Sequence, residues 1–121
     1  MTVTGSRLAG RRILVVEDNF HLAFAMASML EAQGAGILGR VGTVEDALDL
    51  IAASEHIDGA VLDINLRGKM VYPVADILRA KNVPMVFMTG YDNCAVEPAY
   101  AEVPRVQKPV TVERLVQALF G

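Results

Sequence analysis

Short apolar runs alternate with segments of helical spacing along the whole chain. Runs at residues 12–16, 37–41, 57–62, 85–88 and 103–107 are short and apolar, which predicts parallel strands, the first of them buried on both faces. Between them, apolar residues recur every three or four positions, which predicts helices with one buried face. The pattern predicts one α/β domain, a doubly wound five-stranded parallel sheet of order 2-1-3-4-5 with five helices.

Several helices carry sequence signals at their ends. Thr43 and Thr111 precede helical segments and are predicted N-caps, because a threonine hydroxyl accepts a hydrogen bond from a free backbone N–H. Pro98 lies inside the fourth predicted helix, residues 91–102, and proline lacks a backbone donor. This helix is therefore expected to be short or broken. In the first helix, Leu22 and Met26 share the spacing of a buried face.

Size and composition favour a single folded domain. The chain has 121 residues, of which 53% are hydrophobic and 21% are charged, values that argue against disorder. Residues 1–10 lack the apolar segment of a signal peptide and are predicted to form a flexible tail, with the domain at residues 11–121. No apolar run approaches the roughly 20 residues of a membrane span. A lone cysteine, Cys94, fits a reducing cytoplasm.

The charge balance bears on the partners of the chain. Acidic side chains number 14 against 11 basic ones, for a formal net charge of −3. Such a balance gives no broad positive surface for a phosphate backbone, so we expect no direct binding of nucleic acid.

Polar side chains follow four of the five predicted strands. Glu17 and Asp18 come after the first strand, and Asp63, Thr89 and Lys108 end the third, fourth and fifth. In a doubly wound sheet the carboxyl ends of the strands meet at one edge, near the point where strand order reverses. We therefore expect these five residues to converge in space.

This set of side chains suits phosphoryl chemistry. Three carboxylates at one strand-end mouth repel one another unless a cation bridges them, and all-oxygen ligands favour Mg²⁺, with Mn²⁺ possible, over Zn²⁺. Asp63 can act as a carboxylate nucleophile that forms an acyl phosphate. Lys108 supplies a compact charge for a phosphoryl oxygen, and Thr89 supplies a hydroxyl donor.

Over residues 11–121 the set formed by Glu17-Asp18, Asp63, Thr89-Gly90 and Lys108-Pro109 resembles the receiver domain of two-component response regulators. The resemblance implies a flavodoxin-like receiver fold in which Asp63 is the phospho-acceptor. It also implies a metal site formed by the carboxylates of Glu17, Asp18 and Asp63 with the backbone carbonyl of Asn65. Thr89 and Lys108 would contact the phosphoryl group, and the Lys108-Pro109 bond would be cis.

The resemblance also implies partners. A sensor histidine kinase or histidine phosphotransferase would donate the phosphoryl group, and a stand-alone receiver would signal through another protein rather than act as an enzyme. Three roles stay open: a phosphoryl shuttle, a sink that drains a kinase, and a module that binds a target only when phosphorylated.

A narrower resemblance lies in the run Phe-Met-Thr-Gly-Tyr at residues 87–91. It is similar to the single-domain receivers that carry a Phe-Ala-Thr-Gly-hydrophobic-Tyr run, with Met88 in place of alanine and Tyr91 directly after Gly90. Arg105 stands where most receivers have Tyr or Phe, so the usual aromatic switch is not expected.

Two other functions fit the same fold. A pseudo-receiver that binds partners without phosphate is favoured by Arg105 and disfavoured by the presence of Asp63 and Lys108. A flavin enzyme is disfavoured because Glu17 and Asp18 would repel a flavin phosphate, and no glycine-rich loop follows the first strand.

Overall fold

The computed structural model describes residues 8–90 and 96–121. Its strands are β1 (Arg12–Val16), β2 (Gly36–Val41), β3 (Gly59–Asp63), β4 (Asn65–Leu66), β5 (Lys69–Met70), β6 (Met85–Thr89) and β7 (Arg105–Gln107). The α-helices of the described residues are α1 (Phe20–Glu31), α2 (Val44–Ala53), α3 (Tyr72–Ala80) and α4 (Val112–Phe120), and a 3₁₀ turn covers Pro98–Tyr100.

The main sheet has five parallel strands in the order β2-β1-β3-β6-β7. This is the predicted order 2-1-3-4-5, because β4 and β5 form a separate antiparallel pair. The predicted fold class is therefore confirmed. The β4-β5 hairpin was not predicted from the sequence.

The core lies on both faces of the sheet, which explains the continuous apolar run of β1. Successive side chains of a strand point to opposite faces. Leu14 and Val16 pack in the cluster beneath α2 and α3, whereas Ile13 and Val15 pack in the cluster beneath α1 and α4. From Ile13 to Val16 neither face of the strand meets water, so no polar residue interrupts this part of it.

Packing differs from the sequence prediction at two positions near the N-terminus. Leu8, which the prediction placed in the flexible tail, is fully buried in the cluster beneath α1 and α4, so the packed domain begins no later than Leu8. Residues 1–7 lie outside the described residues. Leu22, predicted to be on the buried face of α1, is 42% exposed. The buried face consists of Ala23, Met26, Ala27 and Leu30.

Local end signals were predicted correctly. The Thr43 hydroxyl accepts a hydrogen bond from the Asp46 N–H at 3.0 Å, and Thr111 caps α4 in the same way. Strand limits differ by two residues, since β3 begins at Gly59 and β7 at Arg105. Among the described helices, none combines the length and the apolar character needed to cross a bilayer.

The fourth predicted helix falls partly on residues 91–95, which include Tyr91 and Cys94 and lie outside the described residues. Its described part contains only the 3₁₀ turn that begins at Pro98, as the proline led us to expect. An aromatic cluster not predicted from the sequence anchors this turn. The Tyr100 ring stacks on Tyr72 at 4.3 Å between centroids, and its hydroxyl donates to Asp76. That hydrogen bond, together with burial, raises the pKa of Tyr100 to about 12.

Candidate functional site

The first part of the site is the turn between β1 and α1. The Glu17 N–H donates to the Val41 carbonyl at 2.9 Å, which continues the β1-β2 pairing to this residue. Asn19 is the N-cap of α1, and its side chain accepts from the Leu22 N–H at 3.0 Å. Because Asn19 caps the helix, neither Glu17 nor Asp18 is the N-cap, although Glu17 Oε2 accepts from the Asn19 N–H at 3.1 Å.

Three carboxylates meet at the carboxyl end of the sheet. Glu17, Asp18 and Asp63 each offer an oxygen, and these oxygens all lie within 4.8 Å of one another. Glu17 is 3% exposed and Asp63 is 7% exposed, so two of the acids are buried. The structure thus brings together the three acids that the sequence predicted to converge.

Lys108 reaches this cluster from the end of β7. Its Nζ lies 2.9 Å from Glu17 Oε1 and donates a hydrogen bond to Asp63 Oδ2 at 3.1 Å. Burial alone lowers the pKa of Lys108, but its contacts with the two carboxylates outweigh burial and raise the pKa above its ordinary value. Lys108 is therefore a charged ammonium held between two acids. The Lys108-Pro109 bond is cis, as the resemblance implied.

Thr89 and Asn65 lie on either side of these groups. Thr89 ends β6, is 1% exposed, and its carbonyl accepts from the Lys108 N–H at 2.8 Å. The pairing of Asp63 with Met88 places Thr89 one position beyond Asp63 on the neighbouring strand. The Asn65 N–H donates to Asp63 Oδ1 at 3.1 Å, so both oxygens of Asp63 have donors.

Glu17 has the largest pKa shift among the titratable groups of the site. Burial raises its pKa from 4.5 to about 7, against the opposing effects of Lys108 and the Asn19 N–H. Its Oε1 is buried and, despite the nearby ammonium, accepts no hydrogen bond of good geometry from the described residues. A buried carboxylate oxygen without a donor, beside two other acids, fits a hard divalent cation such as Mg²⁺.

One residue beside the three acids, Arg67, was not predicted from the sequence. Arg67 lies in the turn of the β4-β5 hairpin, and its Nε is 3.4 Å from Asp18 Oδ2. In the sequence, Arg67 precedes Gly68 and comes four positions after Asp63, which is only a weak signal of this contact. The ion pair with Asp18 depends on a hairpin that the apolar pattern did not predict.

The raised pKa of Glu17 predicts how stability varies with pH. The folded protein holds this proton up to about pH 7, whereas a glutamate with the ordinary pKa of 4.5 loses it earlier, so the contribution of Glu17 to stability falls as pH rises through about 7. Each pKa unit corresponds to roughly 1.4 kcal/mol, so ionising Glu17 costs on the order of 3 kcal/mol at alkaline pH without a divalent ion. We expect Glu17→Gln to raise the melting temperature in EDTA near pH 8 and to change it little near pH 5.

The matched control for this prediction is Glu55→Gln, at an exposed position outside the site. Its melting curve should follow that of wild type at both pH values. Melting temperatures of Glu17→Gln and wild type that differ by the same amount at every pH would contradict the prediction.

Comparison with known proteins places this geometry in context. The profile of the response regulator receiver domain matches residues 13–120. The phyllosphere-induced regulator PhyR of Methylorubrum extorquens is 27% identical over 116 residues, covering 89% of this chain and 43% of PhyR. The chain thus spans less than half the length of this curated relative.

Solved structures give a similar result over nearly the whole chain. The solution structure of SdrG from Sphingomonas melonis Fr1 aligns with a TM-score of 0.80 at 37% identity, covering 91% of this chain and 93% of SdrG. The solution structure of the BeF3-activated conformation of SdrG from Pseudomonas melonis Fr1 aligns with a TM-score of 0.75 at 38% identity, covering 92% of this chain and 94% of that one.

Proposed function

Because this chain belongs to the response regulator receiver domain family of two-component systems, we propose that Asp63 accepts a phosphoryl group from a sensor histidine kinase or a histidine phosphotransferase. The observation that carries the proposal is the partly buried contact of Lys108 Nζ with both Glu17 and Asp63. An ammonium held at this point offsets the charge that arrives with a phosphoryl group.

The residues of the site divide the transfer among them. An oxygen of Asp63 forms a bond to phosphorus while the phosphorus–nitrogen bond of the donor phosphohistidine breaks, and the electron pair returns to the imidazole nitrogen. Lys108 stays beside the acceptor and pairs with a phosphoryl oxygen. The Thr89 hydroxyl, at the end of the adjacent strand, donates a hydrogen bond to the product.

The same site would hold Mg²⁺, with Mn²⁺ as a substitute. Glu17, Asp18 and Asp63 provide carboxylate oxygens, and the backbone carbonyl of Asn65 is the fourth predicted ligand. The unsatisfied Oε1 of Glu17 and the all-oxygen donor set support this assignment. A bound divalent ion would supply charge to the phosphoryl oxygens and cancel the repulsion among the acids.

The output of the domain would be a protein contact. Phe20, Leu22 and Phe24 are large apolar side chains exposed on α1, and α1 begins directly after the acidic pair. Exposed apolar groups of this kind suit a protein partner. The net negative charge disfavours nucleic acid, and a kinase partner would place the chain in the cytoplasm.

The alternative pseudo-receiver has less support. Arg105 is exposed on β7, as expected for a position without the usual aromatic switch. However, a module that acts without phosphate has no need of an acceptor carboxylate, whereas here Lys108 holds Asp63 directly. The contact between these two residues therefore favours the phosphorylated form as the signal.

Phosphotransfer profiling tests the proposal. Each purified sensor kinase of the source organism is autophosphorylated with labelled ATP and then mixed with wild type or Asp63→Asn. We expect at least one kinase to label wild type rapidly and to leave Asp63→Asn unlabelled. Label on both proteins would move the acceptor elsewhere, and label on neither from any kinase or phosphotransferase would favour the pseudo-receiver.

A further inference from the structure

Two basic side chains, Lys108 and Arg67, form ion pairs with the acids of the site, and these ion pairs differ in number and in exposure. Lys108 contacts Glu17 and Asp63, and its side chain is 27% exposed. Arg67 contacts Asp18 alone, at 3.4 Å, and its side chain is 81% exposed. The Asp18 side chain itself is 19% exposed. The carboxylate nearest to the rim is thus covered by a cation from the β4-β5 hairpin.

The hairpin places Arg67 there through its own turn geometry. Arg67 has φ of 54° and Gly68 has φ of 89°, so both occupy the left-handed region that closes a tight hairpin. The Asn65 side chain accepts from the Gly68 N–H at 2.6 Å, and Asn65 itself donates its backbone N–H to Asp63. The turn that carries Arg67 is thereby tied to the acceptor residue.

The far side of the hairpin is anchored separately. Lys69 pairs with Glu45 of α2, and this contact lowers the pKa of Glu45. Arg67 and Lys69 are therefore two exposed cations in one hairpin, of which only Arg67 has an ion-pair contact with an acid of the site.

The difference between these ion pairs predicts which side chain a metal ion displaces. A single, exposed ion pair contributes little because solvent screens it and both side chains lose freedom. Lys108 is partly buried between two carboxylates, so displacing it is more costly. A divalent ion that uses Asp18 would therefore displace Arg67 and leave Lys108 in place.

We propose that Arg67 is a tethered cation that occupies Asp18 when no metal is bound and competes with Mg²⁺ for this ligand. This inference rests on the proposed metal site. It makes the β4-β5 hairpin a determinant of metal affinity, because the Arg67 guanidinium must leave Asp18 when the metal binds.

Mg²⁺ titration by calorimetry tests the inference, with wild type, Arg67→Gln and the matched control Lys69→Gln near pH 8 in about 0.15 M salt. Both variants lose one positive charge from the same hairpin. We expect Arg67→Gln to bind Mg²⁺ about two- to fivefold more tightly than wild type, since an exposed pair is lost as a competitor. Lys69→Gln should bind like wild type.

A second measurement follows Arg67 directly. In ¹H–¹⁵N spectra, the Nε–H signal that disappears in Arg67→Gln should move toward that of free arginine when Mg²⁺ is added to wild type. Equal affinities of wild type and Arg67→Gln, or equal gains in both variants, would overturn the role of Arg67 while leaving the metal site intact. If wild type binds no Mg²⁺, the metal site and this inference both fail.

Discussion

Asp63→Asn should abolish labelling by acetyl phosphate, whereas wild type should gain the mass of one phosphoryl group. Asparagine keeps the shape of the side chain but has no anionic oxygen to attack phosphorus. The substitution also removes one charge from a set of three mutually repelling acids, so the variant should melt no lower than wild type. Intact-mass spectrometry with Mg²⁺ and with EDTA measures both the label and its dependence on a divalent ion.

The control for this experiment is Asp46→Asn, which makes the same change at an exposed position of α2. It should be labelled like wild type. Equal labelling of wild type and Asp63→Asn, or labelling that EDTA leaves unaffected, would show that the acceptor or the metal requirement is assigned wrongly.

Lys108→Ala should slow labelling by about a hundredfold to a thousandfold while the protein stays folded. Lys108 Nζ lies 3.1 Å from Oδ2 of Asp63, the proposed acceptor. Its loss also removes the contact that lowers the pKa of Glu17, so Glu17 should hold its proton at higher pH and become a poorer metal ligand. Labelling rates with acetyl phosphate and melting curves, recorded on the same preparations, separate the two effects.

Lys81→Ala is the matched control, since Lys81 is an exposed lysine at the end of α3. It should keep both the labelling rate and the melting temperature of wild type. A large drop in the melting temperature of Lys108→Ala, with activity lost only in proportion to the unfolded fraction, would instead make Lys108 a structural residue.

The convergence of the acids at one edge of the sheet could be predicted, because the carboxyl ends of parallel strands lie at the same edge. Glu17 and Asp63 are 46 positions apart, yet Glu17 directly follows β1 and Asp63 ends β3, and these two strands pair directly in the same parallel sheet. Strand ends of one sheet meet at one edge whatever the connecting helices do. The same rule placed Thr89 and Lys108, whose strands β6 and β7 are also neighbours.

The pairing of each side chain within the site could not be predicted in this way. Which oxygen of Glu17 stays without a hydrogen bond depends on how deeply the turn after β1 is buried, and burial results from packing of distant elements. The pKa of Glu17 follows from that burial rather than from its neighbours in sequence.

By itself, the sequence determined the strand order, the helix caps at Thr43 and Thr111, and the edge at which the acids meet, because each depends on local periodicity or on a general rule of parallel sheets. Only the tertiary structure decided that Leu8 belongs to the core, that Leu22 faces solvent, and that Arg67 covers Asp18. These three outcomes depend on helix phase, on packing between segments distant in sequence, and on a two-stranded hairpin with almost no apolar signal. Short-range patterns carry little of that information.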